Sequence, residues 1–525
     1  MHRHMLYRLG AAGVAAGLIW ALPAGAQETP KQGGIFKHVV EQEGTTYDCH
    51  ATATSFSLQV LAPHYNTLLR FDPLAYPKVV GDLAESWTVS EDGKTYTFKL
   101  KQGVTFHDGS TFDSADIKAT YDRLRSPPEG ITSARQGQWA SIDKIETPDA
   151  NTVVFTLKQP NPAQELLFAS PWNCVYSAEK LAENPNYPAT EVMGTGPFVF
   201  EAHNKGSNWI AKRNENYFEE GKPYLDGIEA VFINGPGVIN ALAGNQVDAA
   251  LFSVSPADQE RLKQTNPDLV YQNGPFNIVN FITFNLTKPP FDNVKVRQAM
   301  NLAISREEGN QVLPKISVLE GRILFFPEGS IAQRSDEEML AMPGLSADIE
   351  DQREKAKALL KEAGHEGLKV TLLNRNLRQP WEPLGIFVLD QWRKIGMQVD
   401  QIPAETPQYF AALQNKTYDV AIDFNNTVSN DPNEVLVKFM PGNPNNYSGL
   451  EDPKLTEMFA AQMAATGEER AKIVKDIEAY MLDQAYFIPM FKSKRGIAHH
   501  KDVKGWKLPP TTVLNLQLDT VWLDR

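Results

Sequence analysis

Apolar and polar positions alternate over several short segments in the first third of the chain. In Thr95–Leu100 the aromatic and aliphatic side chains fall on one face and the polar side chains on the other, which is the two-residue period of a half-buried β-strand. The turn Glu91–Gly93 precedes this segment, so Leu83–Val89 and Thr95–Leu100 are predicted to form a hairpin. Residues 153–157 alternate in the same way and predict a further strand.

A period of 3.6 residues predicts helices elsewhere in the chain. Asp113 is suited to cap the helix that follows it, because its side chain can accept a hydrogen bond from a free backbone N–H. Arg353–Ala363, Leu384–Ile395 and Glu468–Gln484 each place their apolar residues on one face. The strands and helices do not follow a strict β-α-β order. The helix-rich part, residues 288–484, is predicted to form a unit of its own.

The first 26 residues have the pattern of a secretory signal peptide. A basic start is followed by the apolar run Leu9–Leu22, and Ala24–Ala26 supplies the small residues that a signal peptidase requires. Cleavage is predicted after Ala26. A short membrane anchor is the alternative, but the run is shorter than the roughly 20 residues that a spanning helix needs.

Composition and charge narrow the class of protein. The chain has 525 residues and is 42% hydrophobic, which is ordinary for a globular protein and long enough for about three domain-sized units. Its net charge is −13, and removal of residues 1–26, which hold two Arg and no acid, takes it to −15. Nucleic-acid binding needs a basic surface, so a nucleic-acid partner is not expected.

The two cysteines, Cys49 and Cys174, would meet an oxidising compartment after export. They are candidates for a disulfide, but the sequence does not show whether their Cα atoms lie within bridging distance. Whether the two are bridged is therefore left open.

An ordered set of motifs resembles bacterial solute-binding protein family 5, whose members serve peptide- and nickel-type ABC importers. The longest matches are Leu83–Gly109 (LAESWTVSEDGKTYTFKLKQGVTFHDG) and Gly109–Leu124 (GSTFDSADIKATYDRL). Shorter matches follow in the family's order, and they are Gly194–Phe198, Arg213–Phe218, Gly244–Asp248, Phe284–Glu307, Tyr418–Val420 and Phe487–Pro489. The resemblance covers essentially the whole chain after the signal peptide.

The resemblance implies an α/β, two-lobed periplasmic-binding-protein fold of type II, in the large class that has an extra subdomain. The ligand cleft would lie between the lobes, which hinge strands would join. Residues 27–282 would form the first lobe, with the extra subdomain at about residues 50–180. Residues 283–486 would form the second lobe, and residues 487–525 would return to the first.

The resemblance also implies a function. The chain would be the solute-binding component of an ABC import system, would capture a small peptide or a peptide-like, carboxylate-bearing solute in the periplasm, and would deliver it to a permease and its ATPase in the inner membrane. Ligand contacts from both lobes would exist only when the cleft is shut, so the ligand would shift the population towards the closed form. Neither catalysis nor a cofactor is expected, and the protein is expected to be a monomer.

The candidate ligand-binding residues are polar residues that can form hydrogen bonds with a ligand in the cleft and aromatic residues that can pack against it. They are Tyr47, His50, Trp172, Asn173, Arg375, Arg378, Trp381, Asn425 and Asn426. In dipeptide-binding relatives, an Arg in the loop before the helix that here contains Trp392 holds a carboxylate of the ligand. Arg375 matches that place best and Arg378 is the near alternative. A guanidinium suits a carboxylate because two parallel hydrogen bonds can form.

One position departs from the family pattern. Many peptide-binding relatives carry an Asp a few residues before an Asp-Pro pair, where it meets the α-amino group of the ligand. Here Val428 stands at about that place, before Asp431-Pro432. An ordinary peptide is therefore less expected than a ligand rich in carboxylates or hydroxyls, such as an organic acid, an opine or a modified peptide.

Two other classes of protein, a secreted hydrolase and a metal carrier, are less well supported by the sequence. A secreted hydrolase is not indicated, because the chain has no Gly-x-Ser-x-Gly motif and Lys369 stands where a zinc-protease helix starting at His365-Glu366 would need its second His. A glycosidase stays open, since two carboxylates can be drawn from 64 acidic residues. A nickel or metal-chelate carrier is the second alternative, with His50 as the expected contributor, although no His-x₃-His cluster is present.

Overall fold

The structure is a computed structural model, and it describes residues 29–161, 163–251, 253–322, 325–326 and 329–525. The predicted signal peptide, residues 1–26, lies outside the described residues. Within the described part of the chain no helix combines the length and the apolar character that crossing a bilayer requires.

The described residues form nineteen β-strands and fifteen α-helices. The strands are β1 Ile35–Val40, β2 Leu69–Phe71, β3 Val79–Gly81, β4 Ala84–Val89, β5 Thr95–Leu100, β6 Ile142–Asp149, β7 Thr152–Leu157, β8 Phe198–Asn204, β9 Asn208–Arg213, β10 Gly227–Phe232, β11 Ala249–Ala250, β12 Leu269–Phe284, β13 Leu319–Arg322, β14 Lys369–Arg375, β15 Gln398–Ala404, β16 Val420–Asn426, β17 Phe487–His500, β18 Val503–Lys504 and β19 Trp522–Leu523. The helices are α1 Ser55–Leu61, α2 Ser114–Arg125, α3 Gln164–Phe168, α4 Ala178–Glu183, α5 Pro236–Ala243, α6 Pro256–Thr265, α7 Val294–Leu302, α8 Arg306–Ile316, α9 Asp336–Leu340, α10 Ile349–Glu362, α11 Trp381–Arg393, α12 Thr406–Gln414, α13 Pro432–Leu436, α14 Pro453–Ala464 and α15 Gly467–Asp483.

One large mixed sheet organises the molecule. Its strand order is β15-β14-β16-β12-β17-β11-β1-β10-β9-β8, with β13 paired to β17. At one end β14 runs parallel to β15 and β16, and at the other β1 runs parallel to β10 and β11. The long strands β12 and β17 pair with each other antiparallel between these two groups. This is the two-lobed α/β architecture, with helices on both groups.

We propose that the predicted residues 27–282 and 487–525 are the first lobe and residues 283–486 the second lobe. On this division β12 and β17 are the strands by which the chain passes between the lobes. The last nine residues of β12, from Phe276 onwards, are all buried, as in a strand covered on both faces. The β12–β17 register shifts between Phe276 and Val279 and again between Val279 and Phe281. The pairing is therefore irregular where the strands leave one lobe for the other.

A separate sheet of four strands, in the order β4-β5-β7-β6, lies inside the range predicted for the extra subdomain. The predicted hairpin is confirmed, because β4 pairs antiparallel with β5, and the predicted strand at residues 153–157 is β7. Helix α2 packs on this sheet and begins with a capping box, in which Asp113 accepts from the Ala115 N–H and Asp116 accepts from the Asp113 N–H. The predicted cap at Asp113 is confirmed.

The helices of the second lobe agree with the predicted ones, apart from their bounds. Helix α15 differs from the predicted range by one residue at each end. Helix α10 begins at Ile349, four residues before the predicted start, because the Asp348 side chain accepts a hydrogen bond from the Asp351 N–H at 3.1 Å and so caps an additional turn. The apolar period did not reveal this turn, since the residues 349–352 are mostly polar.

A buried disulfide joins two distant segments of the first lobe. Cys49 and Cys174 are bonded, with their Cα atoms 6.1 Å apart. Beside the bond, Arg123 Nη2 lies 2.5 Å from Asp48 Oδ2, and the Tyr176 hydroxyl donates to Asp48 Oδ1 at 2.9 Å. The ion pair is buried and is held by hydrogen bonds on both of its members, which is the condition for a buried pair to be tolerated.

Replacement of both cysteines, Cys49→Ser with Cys174→Ser, is expected to lower the free energy of unfolding. The bond closes a loop with a sequence separation of 125, and loss of such a constraint on the unfolded chain costs about 3–5 kcal/mol in the chain-entropy model. Urea unfolding of the two proteins measures the difference. A reductant should lower the midpoint of the wild type and leave that of the double variant unchanged. Equal midpoints without reductant would contradict the prediction.

Candidate ligand-binding site

The carboxyl ends of strands from both lobes meet at the cleft. Glu41 directly follows β1, Arg375 ends β14 and Asn426 ends β16. In open α/β sheets the crevice outside the carboxyl ends of the strands is where ligands bind. Hydrogen bonds bridge the cleft, including Asn445 Nδ2 to the Ala134 carbonyl at 2.7 Å.

The first cavity of the cleft is lined from both lobes, and we call it the aromatic cavity. The first lobe contributes Ala53, Ala134, Arg135, Gln138 and Trp172. The second lobe contributes Phe410, Asp423, Phe424, Asn425, Asn426, Glu434, Val437, Lys438, Asn443, Asn445 and Tyr447. Aromatic rings, amides and charged groups thus face one space, as in sites for small polar ligands.

Arg135 presents a positive charge in the aromatic cavity. Its guanidinium lies 3.6 Å from the centre of the Trp172 ring, in a cation–π arrangement. Its Nη1 donates to the Thr52 carbonyl at 2.9 Å, and no carboxylate of a described residue lies within ion-pair distance. Burial lowers the pKa of Arg135 to about 9, which still leaves it charged at neutral pH. Most of its N–H groups are therefore available to an anion.

The two carboxylates of the aromatic cavity already have protein donors. Asp423 Oδ2 pairs with Lys438 Nζ at 2.7 Å, and its Oδ1 accepts from the Phe424 N–H. Glu434 accepts from the Val428 N–H at 3.1 Å and from the Ser429 N–H and hydroxyl, both at 2.9 Å. Burial raises the pKa of Glu434 to about 7.

Arg375 stands in a cage of aromatic rings at the edge of the aromatic cavity. Its guanidinium lies 5.0 Å from the Trp381 ring centre and 5.6 Å from those of Phe410 and Phe424. The ring of Phe56, from the first lobe, lies 5.7 Å away. Nη2 donates to the Thr406 hydroxyl at 2.8 Å, whereas the buried Nε has no partner among the described residues. Burial lowers the pKa of Arg375 to about 10.

A second cavity lies on the other side of Arg375, and we call it the charged cavity. It is lined by Glu41, Asn234, Gly235, Arg375, Asn376, Leu377, Arg378, Glu382, Ile386, Gln401 and Pro403. Arg378 Nη1 makes a close ion pair with Asp258 Oδ2 of the first lobe. Burial raises the pKa of Glu41 to about 7, although the charges of Arg378 and Arg375 act against this rise.

Of the residues predicted from the sequence, five line the two cavities. They are Trp172, Asn425 and Asn426 in the aromatic cavity and Arg375 and Arg378 in the charged cavity. Trp381 is buried below Arg375 and does not line either cavity. The pairing of Asn426 with Thr511 and Thr512 of the first lobe, at 2.6 and 2.9 Å, adds a further link across the cleft.

The structure places the other three predicted residues away from both cavities. The Tyr47 hydroxyl lies 2.8 Å from His203 Nδ1, and Asn173 Nδ2 donates to the Leu167 carbonyl at 2.7 Å. His50 is buried, with Nε2 3.0 Å from the Cys174 carbonyl oxygen and Nδ1 3.0 Å from Arg123 Nη1. Burial lowers the pKa of His50 to about 3. In the part of the chain that the structure describes, no three His, Cys, Asp or Glu side chains are grouped as a metal site would require.

Arg135, Glu41 and Phe410 line the cavities but were not among the predicted residues. Glu41 carries a usable signal, because it directly follows the apolar strand β1 and so stands at a strand's carboxyl end. Arg135 lies in an irregular loop just before Gln136, within the range predicted for the extra subdomain. No periodic pattern in that loop could show that it faces the second lobe.

Comparison with known proteins assigns the family. The family model described as bacterial extracellular solute-binding proteins, family 5 Middle, matches residues 78–447. The chain belongs to this family. The glutathione-binding protein GsiB of Salmonella paratyphi A is 28% identical to this family 5 protein over 495 residues, which are 89% of this chain and 91% of that protein. GsiB of Pectobacterium atrosepticum is 30% identical over 405 residues, 77% of this chain and 75% of that protein.

Two solved structures of similar fold are binding proteins with bound ligands. AgaA from A. tumefacien R10, in complex with agropinic acid, has a TM-score of 0.81 at 25% identity and covers 94% of this chain and 99% of its own. DppA from Helicobacter pylori, in complex with the peptide STSA, has a TM-score of 0.83 at 23% identity, with the same coverage, and supports the fold. The relatives of this family 5 protein are thus binding proteins rather than enzymes.

The variant Glu41→Gln is expected to gain stability over the wild type as pH rises. The pKa of Glu41 is about 7 in the folded protein and 4.5 in its ordinary state, so the folded wild type holds this proton more tightly and loses stability between about pH 4.5 and 7. Gln carries no such proton, so the difference in free energy of unfolding should grow over this window and level off above it, at on the order of 2–3 kcal/mol. Urea unfolding without ligand at pH 4.5–8.5 measures it.

The matched control is Glu260→Gln, whose carboxylate is exposed and paired with Lys263 on the surface of α6. The free energy of unfolding of Glu260→Gln should stay close to that of the wild type at every pH. If the free energies of unfolding of Glu41→Gln and the wild type differ by the same amount from pH 4.5 to 8.5, the pKa of Glu41 is not raised in the folded protein and the prediction is wrong.

Proposed function

We propose that this protein is the periplasmic solute-binding component of an ABC import system, and that it captures a small peptide or a peptide-like solute bearing a carboxylate. It acts as a monomer and delivers the solute, unaltered, to a permease whose ATPase drives import across the inner membrane. The observation that carries the proposal is Arg135, a cation stacked on Trp172 in an interlobe cavity without a carboxylate partner among the described residues.

A carboxylate is the ligand group that this arrangement favours. The guanidinium of Arg135 can donate two parallel hydrogen bonds to it, and the neighbouring Asn425 Nδ2 is buried without a partner among the described residues. Asp423 and Glu434 do not compete for Arg135 at ion-pair distance, because Lys438 and the Val428–Ser429 backbone hold them. An anionic ligand would therefore satisfy donors that the protein leaves free.

The two-lobed geometry supports capture by closure. Trp172 and Arg135 belong to the first lobe, whereas Phe410, Phe424 and Asn425 belong to the second. A ligand touching both walls binds the closed form more tightly than the open form, and it shifts the population by that difference in affinity. The relatives whose names specify glutathione, agropinic acid or a peptide support the proposal, since each of those ligands carries a carboxylate.

Isothermal titration calorimetry with paired ligands tests this function. The panel consists of glutathione, dipeptides, tripeptides and N-substituted amino acids, each with its carboxyl-amide counterpart. At least one free acid should bind, and its amide should bind at least tenfold more weakly. Binding confined to neutral sugars, or turnover of a bound ligand, would overturn the proposal.

Arg135→Gln is expected to weaken binding of the best acid about tenfold to a hundredfold, because a hydrogen-bonded charge contributes roughly 1.5–3 kcal/mol. The matched control is Arg261→Gln on α6, where Arg261 Nη2 bonds Asn240 at the surface, away from both cavities. Calorimetry on the two variants should show the loss only for Arg135. Equal affinities for the two variants would remove Arg135 from the site.

A further inference from the structure

The charged cavity contains a buried acid that the proposed function does not use. Glu41 is 6% exposed and lines this cavity, yet its carboxylate accepts no hydrogen bond from any described residue. Most buried carboxylates accept several hydrogen bonds, because leaving such a group unpaired costs free energy. Glu41 is therefore placed to accept hydrogen bonds from a ligand.

Arg378 offers the complementary group in the same cavity. Its Nη1 is taken by Asp258, which is itself fixed by the Ser255 hydroxyl at 2.5 Å. Its Nε and Nη2 are buried and have no partner among the described residues. The N–H bonds of Nε and Nη2 are parallel and lie along one edge of the guanidinium. This edge can donate one hydrogen bond to each oxygen of a carboxylate.

Glu41 and Arg378 come from different lobes. Glu41 follows β1 of the first lobe, and Arg378 lies between β14 and α11 of the second. They form no ion pair with each other at contact distance; burial raises the pKa of Glu41, and the nearby charge of Arg378 acts against that rise. A group that carries both an ammonium and a carboxylate would join them and would be held only when the lobes are together.

Glu382 also lines the charged cavity, but its side chain is exposed to solvent, and the acids of the aromatic cavity already have donors. Asp423 is paired with Lys438, and Glu434 is held by three donors from Val428 and Ser429. Val428, which occupies about the place of the Asp that meets the α-amino group in peptide-binding relatives, offers no charge. Among these three acids of the cleft, Glu41 alone lacks a hydrogen-bond donor from the described residues.

We propose that the charged cavity is a subsite for an amino-acid head group, in which Glu41 accepts from the ammonium and the Nε–Nη2 edge of Arg378 donates to the carboxylate. This rests on the proposed function, because the rest of the same ligand extends past Arg375 to Arg135. Arg375 lines the charged cavity and packs on Phe410 and Phe424 of the aromatic cavity, so it is the wall that the two cavities share.

The subsite defines a class of ligand. One end carries an ammonium and a carboxylate on the same carbon, and the other end carries a second carboxylate. A side-chain-linked peptide such as a γ-glutamyl dipeptide has this structure. A peptide joined through its α-carboxylate does not, because its ammonium and its terminal carboxylate are on different residues.

Two isomeric dipeptides test the proposal by titration calorimetry at pH 8. The probes are γ-glutamylglycine and α-glutamylglycine, which have the same composition and the same charges, together with glutarylglycine, which lacks only the ammonium of the γ-isomer. The γ-isomer should bind at least tenfold more tightly than the α-isomer and at least tenfold more tightly than glutarylglycine.

The variant Glu41→Gln should abolish most of the preference for the γ-isomer over glutarylglycine while leaving the affinity for glutarylglycine within about twofold of the wild type. The ratio of affinities is independent of the fraction of folded protein, so a folding defect cannot imitate this result. Arg378→Lys should weaken the γ-isomer at least fivefold, since an ammonium cannot provide the two-pronged edge. Glu260→Gln, on the surface of α6, should behave as the wild type.

The outcomes separate the two proposals. Equal or tighter binding of the α-isomer, or a γ-preference that survives Glu41→Gln, would overturn the subsite. Failure of both dipeptides while another carboxylate-bearing solute binds would also overturn the subsite, but it would leave the proposed function intact. Failure of every carboxylate-bearing solute would overturn both.

Discussion

The antiparallel pairing of β12 with β17 is the constraint on which the rest of the site depends. These two strands connect the parallel group β14, β15 and β16 to the parallel group β1, β10 and β11 within one sheet. Because both groups are fixed to the same pair of strands, the carboxyl ends of β1, β14 and β16 are brought to opposite sides of one cleft. The register shifts in the β12–β17 ladder lie between Phe276 and Phe281, at the start of the stretch of β12 that pairs with β16, so the ladder is irregular where the β14–β16 group joins it.

A buried arginine on β17 connects this pair of strands to the cleft through hydrogen bonds. Arg495 on β17 is fully buried and donates to the carbonyls of Pro509 and Thr511, which fixes the loop that follows. The hydroxyls of Thr511 and Thr512 in turn meet Asn426, at the carboxyl end of β16. The disulfide has a comparable role near the aromatic cavity, since Cys174 stands two residues from Trp172 and Cys49 three residues from Thr52, whose carbonyl accepts a hydrogen bond from Arg135.

On the proposed function, closure and ligand recognition use the same charged groups. Arg378 in the second lobe meets Asp258 in the first, while Arg375 faces Phe56 across the boundary. The Arg378–Asp258 pair is partly exposed, and its attraction is offset by the cost of desolvating the two charges, so it favours one alignment of the lobes more than it stabilises the closed form. On the proposed function, the free energy that makes closure favourable comes from the ligand, which a binding protein must also release.

The family, the two-lobed α/β class and much of the local structure can be predicted from the amino-acid sequence. These features depend on residues that are close in sequence, because hydrophobic periodicity and turn formation are local properties. Examples are the motif Leu83–Gly109, the hairpin of β4 and β5 and the cap at Asp113. The composition of the site was decided by the tertiary structure alone. Arg135 and Phe410 are 275 positions apart and line one cavity only because the fold brings two distant segments together, and no local pattern in the sequence records that proximity. Glu41 illustrates both cases. Its position at the carboxyl end of a strand could be predicted from the sequence, but the cavity that its side chain faces could not.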